Sequence, residues 1–192
     1  PLRKICMLRW PALFVGVALL STLAACAPPA ARNRDEKVLS IPLMTSGPNS
    51  LDPVKGSTQY DSKASSFVYQ TLLQYHYLQR PETLAPLLLA AMPEVSEKGK
   101  RYRFQLKQDV YFQDDPCFPG GKGRRLVTQD VFYSWKRMAD NQNQPKGWWL
   151  LADTIVGFDE YKAAQNRAEQ FDYDQSVVGF KEINDHEFEV EL

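Results

Sequence analysis

The chain has 192 residues, with 23 Lys and Arg against 23 Asp and Glu, 44% hydrophobic side chains and three cysteines. That is the make-up of an ordinary globular protein long enough to bury a core, which excludes a disordered, collagen-like or disulfide-scaffold chain. The first 25 residues hold three bases and no acid, leaving a balance of about minus three for the rest. No basic stripe interleaved with aromatics occurs, and this argues against nucleic acid as a partner.

Arg3, Lys4 and Arg9 lead into an apolar run from Trp10 to Leu23, which closes on Leu23-Ala24-Ala25-Cys26. The run is short for a bilayer span and ends in small residues, as a secretory core and its cleavage site do. Leu-Ala-Ala-Cys resembles a bacterial lipobox. That likeness implies a lipoprotein signal peptide over 1–25 and lipidation of Cys26; an uncleaved helical anchor is the alternative. Residues 26–37 have no apolar period and read as a tether. Leu39, Ile41 and Leu43 then alternate with Ser40 and Pro42, predicting a first strand from Val38 to Met44 that the proline makes irregular or an edge.

A Gly-Pro-Asn-Ser turn precedes Leu51-Asp52-Pro53. Asp61 or Ser62 is placed to cap a helix in which Ala64, Phe67, Val68, Thr71, Leu72 and Tyr75 recur at helical spacing, a stripe that reads as core. His76 would then be a cation near the helix C-terminus, because no second ligand stands at a metal spacing from it. Pro81 to Pro93 carries Ala85-Pro86-Leu87-Leu88-Leu89-Ala90-Ala91-Met92-Pro93, and Glu97-Lys98-Gly99-Lys100 reads as a turn.

Arg101 to Lys107 alternates polar and apolar side chains, the period of a strand with one wet face. Val110 and Phe112 resume it before a loop rich in Asp, Pro and Gly, Asp114 to Gly123. Thr128 is placed as the N-cap of a helix with Asp130 in its first turn. Val131, Trp135 and Met138 share a face with Phe132 beside them, and Lys136 and Arg137 fall in the last turn. Phe104, Leu106, Val131 and Trp135 are expected to meet in one core.

After a polar loop, Trp148-Trp149-Leu150-Leu151 forms an apolar cluster that suits core packing or the wall of a cleft. A helix is expected from about Asp159 to Gln170. Val177 to Ile183, a turn at Asn184-Asp185, and Glu187 to Leu192 predict a hairpin with Phe188, Val190 and Leu192 on one face and three glutamates on the other. The acidic face complements Arg101, Arg103 and Lys107 and makes the two strands candidate neighbours. Cys117 reads as a free thiol or one paired outside this chain, and no histidine nearby in sequence would activate it.

Tyr102, Phe104, Leu106, Lys107, Val110, Phe112 and Asp114, followed by Thr128, Asp130, Val131, Tyr133, Ser134 and Arg137, resemble the bacterial extracellular solute-binding proteins of family 5, the oligopeptide, dipeptide and nickel receptors of ABC importers. Leu51-Asp52-Pro53, Ala85 to Pro93 and Ile155 to Glu160 resemble further family elements. Asp109 replaces a usual glycine, Met92 a usual tryptophan, and the loop from Pro116 to Arg125 is longer than in the family. The resemblance implies an α/β (mixed α+β) class, the N-terminal part of a two-lobed periplasmic-binding-protein fold of type II-like topology with an extra lobe, a mixed sheet and flanking helices. Residues 38–75 would start lobe I, and 76–192 would form the additional small α/β lobe, cut short at its C-terminus.

The function implied is that of a lipid-anchored binding component of a peptide or related-solute ABC transporter, on the periplasmic or extracytoplasmic face of a membrane. It would capture extended peptide between lobes and deliver it to permease subunits. Ser57, Thr58, Gln59 and Tyr60 correspond to the stretch that lines the cleft, with Trp148 or Trp149 closing it; no cofactor, metal or catalytic residue is implied. A secreted carboxylate-dependent hydrolase and a non-transport envelope lipoprotein are the alternatives. The sequence offers two histidines, no Gly-x-Ser-x-Gly elbow and no His-Glu-x-x-His.

Overall fold

The computed structural model describes residues 47–192. The leader, Cys26, the tether and the predicted strand from Val38 to Met44 lie outside the described residues. In chain order the elements are α1 (Gln59–Ser65), β1 (Leu73–Tyr75), β2 (Leu84–Pro86), β3 (Glu94–Ser96), β4 (Arg101–Gln105), α2 (Thr128–Ala139), α3 (Phe158–Gln165), β5 (Phe180–Asn184) and β6 (Glu187–Glu191). β1 and β2 form a small antiparallel pair, while β3, β4, β6 and β5, in that spatial order, form a four-stranded antiparallel sheet.

The larger sheet is built as the charge pattern predicts. β4 and β6 pair with Arg101 opposite Glu191, Arg103 opposite Glu189 and Phe104 opposite Phe188. Arg103 Nε donates to Glu187 Oε1 at 2.8 Å, and Lys181 on β5 stands 3.4 Å from Glu189. Lys181, rather than Lys107, is therefore the third base of this wet face; the Lys107 amide instead donates to the Leu88 carbonyl beyond the ladder. Solvated pairs of this kind fix register more than they stabilise.

The dry face carries the core. Phe188 stacks on Phe104 at 4.8 Å between ring centres and meets Phe132 edge-on at 5.4 Å. Val131, Phe132 and Ala139 present the buried face of α2, with Phe158 and Tyr161 of α3, Leu89, Leu106, Ile155, Val177 and Val190 completing the cluster. Leu106 and Val131 are buried as expected, whereas Phe104 and Trp135 are only partly covered and pack against the cluster.

Three expectations change. The helix expected to run on to Tyr75 stops at Ser65. Ser65 Oγ donates to the Asp61 carbonyl and Ser66 Oγ to the Lys63 carbonyl, so side chains compete for the helical acceptors. The chain beyond is claimed by antiparallel pairing of Leu73 with Pro86 and Tyr75 with Leu84. The stripe is accordingly not core, and Phe67 is 64% exposed. His76 follows β1 rather than a helix, and its Nδ1 accepts from the Leu78 and Gln79 amides.

Thr128 is not the N-cap of α2. Its hydroxyl donates to the Asn184 carbonyl at 2.9 Å and its amide to the Asp185 carbonyl at 2.7 Å, docking the helix on the β5–β6 turn. Val127 occupies the cap position and has no side-chain acceptor; Asp130 accepts from the Val127 amide instead. The last helix ends at Gln165, short of Gln170. Val110 and Phe112 do return to extended pairing, against Leu126 and Arg124. The pairing requires glycine at 123, since a Cβ there would lie 1.8 Å from the Phe112 carbonyl oxygen.

Candidate functional site

The segment singled out by sequence, Ser57 to Tyr60, closes a loop that starts at Asn49. Its keystone is Asp61, 1% exposed, the one buried residue of α1. Asp61 Oδ1 accepts from the Asn49 amide at 2.6 Å and the Ser50 amide at 3.1 Å; Oδ2 accepts from the Ser57 amide at 3.0 Å and the Thr58 amide at 2.9 Å. Thr58 Oγ1 accepts in return from the Asp61 amide at 3.1 Å, which makes the pair a capping box. These amide bonds, those from Ser57 and Thr58 foremost, hold the carboxyl far below the usual carboxylate range. Gly56 lets the loop pass close by, since a Cβ there would sit 3.1 Å from Asp61 Cβ.

Two further ties join this loop to the rest of the molecule. Arg137, in the last turn of α2, grips Asp52 with both terminal nitrogens, at 3.1 and 2.6 Å, and the guanidinium lowers the Asp52 pKa. The Lys146 amide donates to the Val54 carbonyl at 3.1 Å, tying the loop that precedes the tryptophans to the Asp52 turn.

The predicted site residues fall as follows. Ser57 is exposed, Thr58 is the extended, half-buried N-cap, and Gln59 and Tyr60 open α1, with Gln59 exposed and Tyr60 half-buried. Because Asp61 consumes the Ser57 and Thr58 amides, those two donors are spent inside the protein. Trp148 and Trp149 lie in a 3-10 turn, Trp148–Leu150. Trp148 packs on Phe158 at 5.1 Å and carries Lys162 Nζ over its ring at 4.3 Å, while Trp149 is 74% exposed. Among the described residues no hydrogen bond or ring contact joins Ser57–Tyr60 to either tryptophan.

Two open depressions lie elsewhere. One, of about 730 Å³, is lined by Asp140, Gln142, Glu169, Gln170, Phe171 and Tyr173. Two of its polar groups pair with each other: Asp140 Oδ2 accepts from Tyr173 Oη at 2.6 Å, and burial with this bond pushes the Tyr173 pKa up to about 12. The other, of about 480 Å³, lies at the β1–β2 tip among Tyr75, His76, Tyr77, Arg80 and Glu82. Among the described residues no cluster of His, Cys, Asp or Glu is set to hold a metal ion, and no helix is long and apolar enough to cross a membrane. Cys117 is free and exposed, and its hydrogen bond to Asp115 raises its pKa, favouring thiol over thiolate.

Sequence reasoning missed Asp61 as organiser and the Asp52–Arg137 pair. Thr58-x-x-Asp61 carried the signal for the first. Nothing local signals a partner 85 residues away.

The family described as Bacterial extracellular solute-binding proteins, family 5 Middle, matches residues 83–192. The chain belongs to the family 5 solute-binding proteins. Family 5 comprises binding proteins rather than enzymes. Among curated relatives, the probable ABC transporter periplasmic-binding protein SapA of Escherichia coli K12 is 32% identical over 176 residues, and the peptide transport periplasmic protein SapA of Salmonella typhimurium is 30% identical over 178. Each alignment covers 88% of this chain and 30% of the relative, so the chain spans about 30% of the length of these proteins.

Solved structures share the fold. Haemophilus influenzae OppA in complex with RPPGFSPFR matches with a TM-score of 0.57 and 18% identity, over 76% of this chain and 25% of that one. Peptide-bound Listeria monocytogenes OppA matches with a TM-score of 0.53 and 23% identity, over 74% and 24%. The described residues thus form a mixed α/β part of the periplasmic-binding-protein fold. In this family 5 chain the matched stretch takes in β2 to β6, while the loop held by Asp61 precedes it.

Proposed function

We propose that this chain is the binding component of a peptide ABC importer, which takes extended peptide into a cleft between two lobes and delivers it to permease subunits. The observation that carries the reading is the 30% identity, over 88% of this chain, to a relative named as a peptide transport periplasmic protein. Residues 38–75 begin the first lobe and 76–192 form the additional small α/β lobe. Ser57, Thr58, Gln59 and Tyr60 line the cleft on this side. Their contribution runs through the exposed Ser57 and Gln59 and the ring of Tyr60, because the Ser57 and Thr58 amides already serve Asp61. Trp149 is the tryptophan with an open face to lay against a peptide side chain, a large apolar area per residue at small entropic cost. No cofactor takes part.

The same reading makes 1–25 a cleaved signal, Cys26 the acylated first residue and 26–37 the tether on the extracytoplasmic face. Several acyl chains at about 0.8 kcal/mol per buried CH₂ hold a protein stably at a membrane, where one chain is marginal. Native mass spectrometry of the full encoded protein, extracted from membranes of the producing cells, tests both parts. The expected spectrum shows a mass increment of acyl chains on the Cys26-containing peptide and a population of retained short peptides released by acid. Unmodified Cys26 sinks the anchor. Protein that neither retains nor takes up any peptide sinks the transport reading.

A further inference from the structure

We propose that Asp61 is a positioning residue of the ligand site, its carboxylate joining the two ends of loop 49–58 and so fixing the Ser57–Tyr60 wall before ligand arrives. The inference rests on the peptide-binding reading above. One carboxylate oxygen takes the amides of Asn49 and Ser50, where the loop begins, and the other takes those of Ser57 and Thr58, where it ends. A single side chain thereby closes a ring of ten residues, and a charged acceptor makes stronger bonds to amides than a neutral one.

The clamp is needed because apolar packing does not hold this region. Among the described residues none from 47 to 71 joins the main core cluster, and Val54 is the sole buried hydrophobic of the loop. What remains are polar ties: the Asp61 clamp, the turn bonds around Asp52, the Asp52–Arg137 pair, and the Lys146–Val54 and Leu88–Thr71 backbone bonds. The wall is therefore ordered by hydrogen bonds on a scaffold whose core lies elsewhere, so that it can loosen while the core stays folded. A wall that is already ordered spares the ligand the entropy of ordering it.

Asp61→Asn tests this, since the amide keeps one acceptor oxygen and turns an NH₂ toward two backbone donors. The full encoded protein and its variant are compared by hydrogen exchange at Asn49, Ser50, Ser57 and Thr58, and by calorimetry with trialanine. Exchange at these four amides is expected to rise at least about ten-fold, with the amides of β4 and β6 unchanged. A wall ordered a tenth of the time raises the apparent Kd about ten-fold. Saturating trialanine should restore protection in the variant, which a brace remote from the ligand would not show. Unchanged exchange overturns the clamp, and changed exchange with unchanged Kd overturns the positioning role. Wild-type protein that ignores trialanine and a mixed tripeptide pool instead overturns the peptide reading, and the positioning role with it.

Discussion

Asp52 of Leu51-Asp52-Pro53 has two tasks, one within its own turn and one 85 residues away on α2. The turn residue is fixed by local chemistry: its carbonyl accepts from the Lys55 and Gly56 amides, and Oδ1 from that of Val54. Its long-range role depends on α2 ending where it does, which places Arg137 over it. Asp52→Ala leaves a half-buried guanidinium without its carboxylate and is expected to cost about 1–3 kcal/mol in urea unfolding at neutral pH. The pH dependence has a definite sign. Arg137 lowers the folded pKa of Asp52 below its unfolded value, so the pair contributes in full above pH ~4. That contribution is lost as pH falls through the folded pKa. Wild type should therefore lose stability on acidification more steeply than Asp52→Ala. Parallel slopes would show that the pair is not formed in solution.

At the scale of elements, alternation proved more reliable than helical period. The strand at Arg101 and the hairpin from Phe180 to Glu191 needed only the two-residue repeat and a turn, and their pairing followed from opposite charges on facing wet sides. The period from Ala64 to Tyr75 was real, but short apolar runs fit helix and strand alike, and pairing with β2 decided the matter. Capping residues misled for a related reason, since the Thr128 hydroxyl has two possible uses and the β5–β6 turn takes it. Burial ranks the core. Phe188, fully buried among Phe104, Phe132 and Trp135, should cost about 3–5 kcal/mol on truncation to Ala. Trp135, partly solvated and touching Phe180 and Phe188 by tilted and edge contacts, should cost less, about 2 kcal/mol. Equal losses in urea unfolding would mean that Trp135 is as deeply placed as Phe188.

For the whole molecule, the fold class and family were legible because the motif residues from Tyr102 to Arg137 sit on β4, the loop after it and α2, all within the region the family covers. The proposed binding surface is only a segment, Ser57 to Tyr60, as far as the sequence carries it. Shape is what sequence spacing does not carry, and shape here is decisive. A specific pocket generally buries 70–90% of a ligand. Two open depressions of the described surface, of about 730 and 480 Å³, have linings that include none of Ser57, Thr58, Gln59, Tyr60, Trp148 or Trp149. A peptide laid along Ser57–Tyr60 alone would leave most of its surface in water and would still lose its translational and conformational freedom. The 192-residue chain by itself is therefore expected to bind tripeptides more weakly than Kd ~1 mM, where the binding free energy is about −4 kcal/mol. The full encoded protein should bind the same peptides at least a hundred-fold more tightly. Calorimetry on both, with folding of the short chain verified by cooperative urea unfolding, separates the cases. Micromolar binding by the short chain would place a complete site within these residues and remove the need for a second wall.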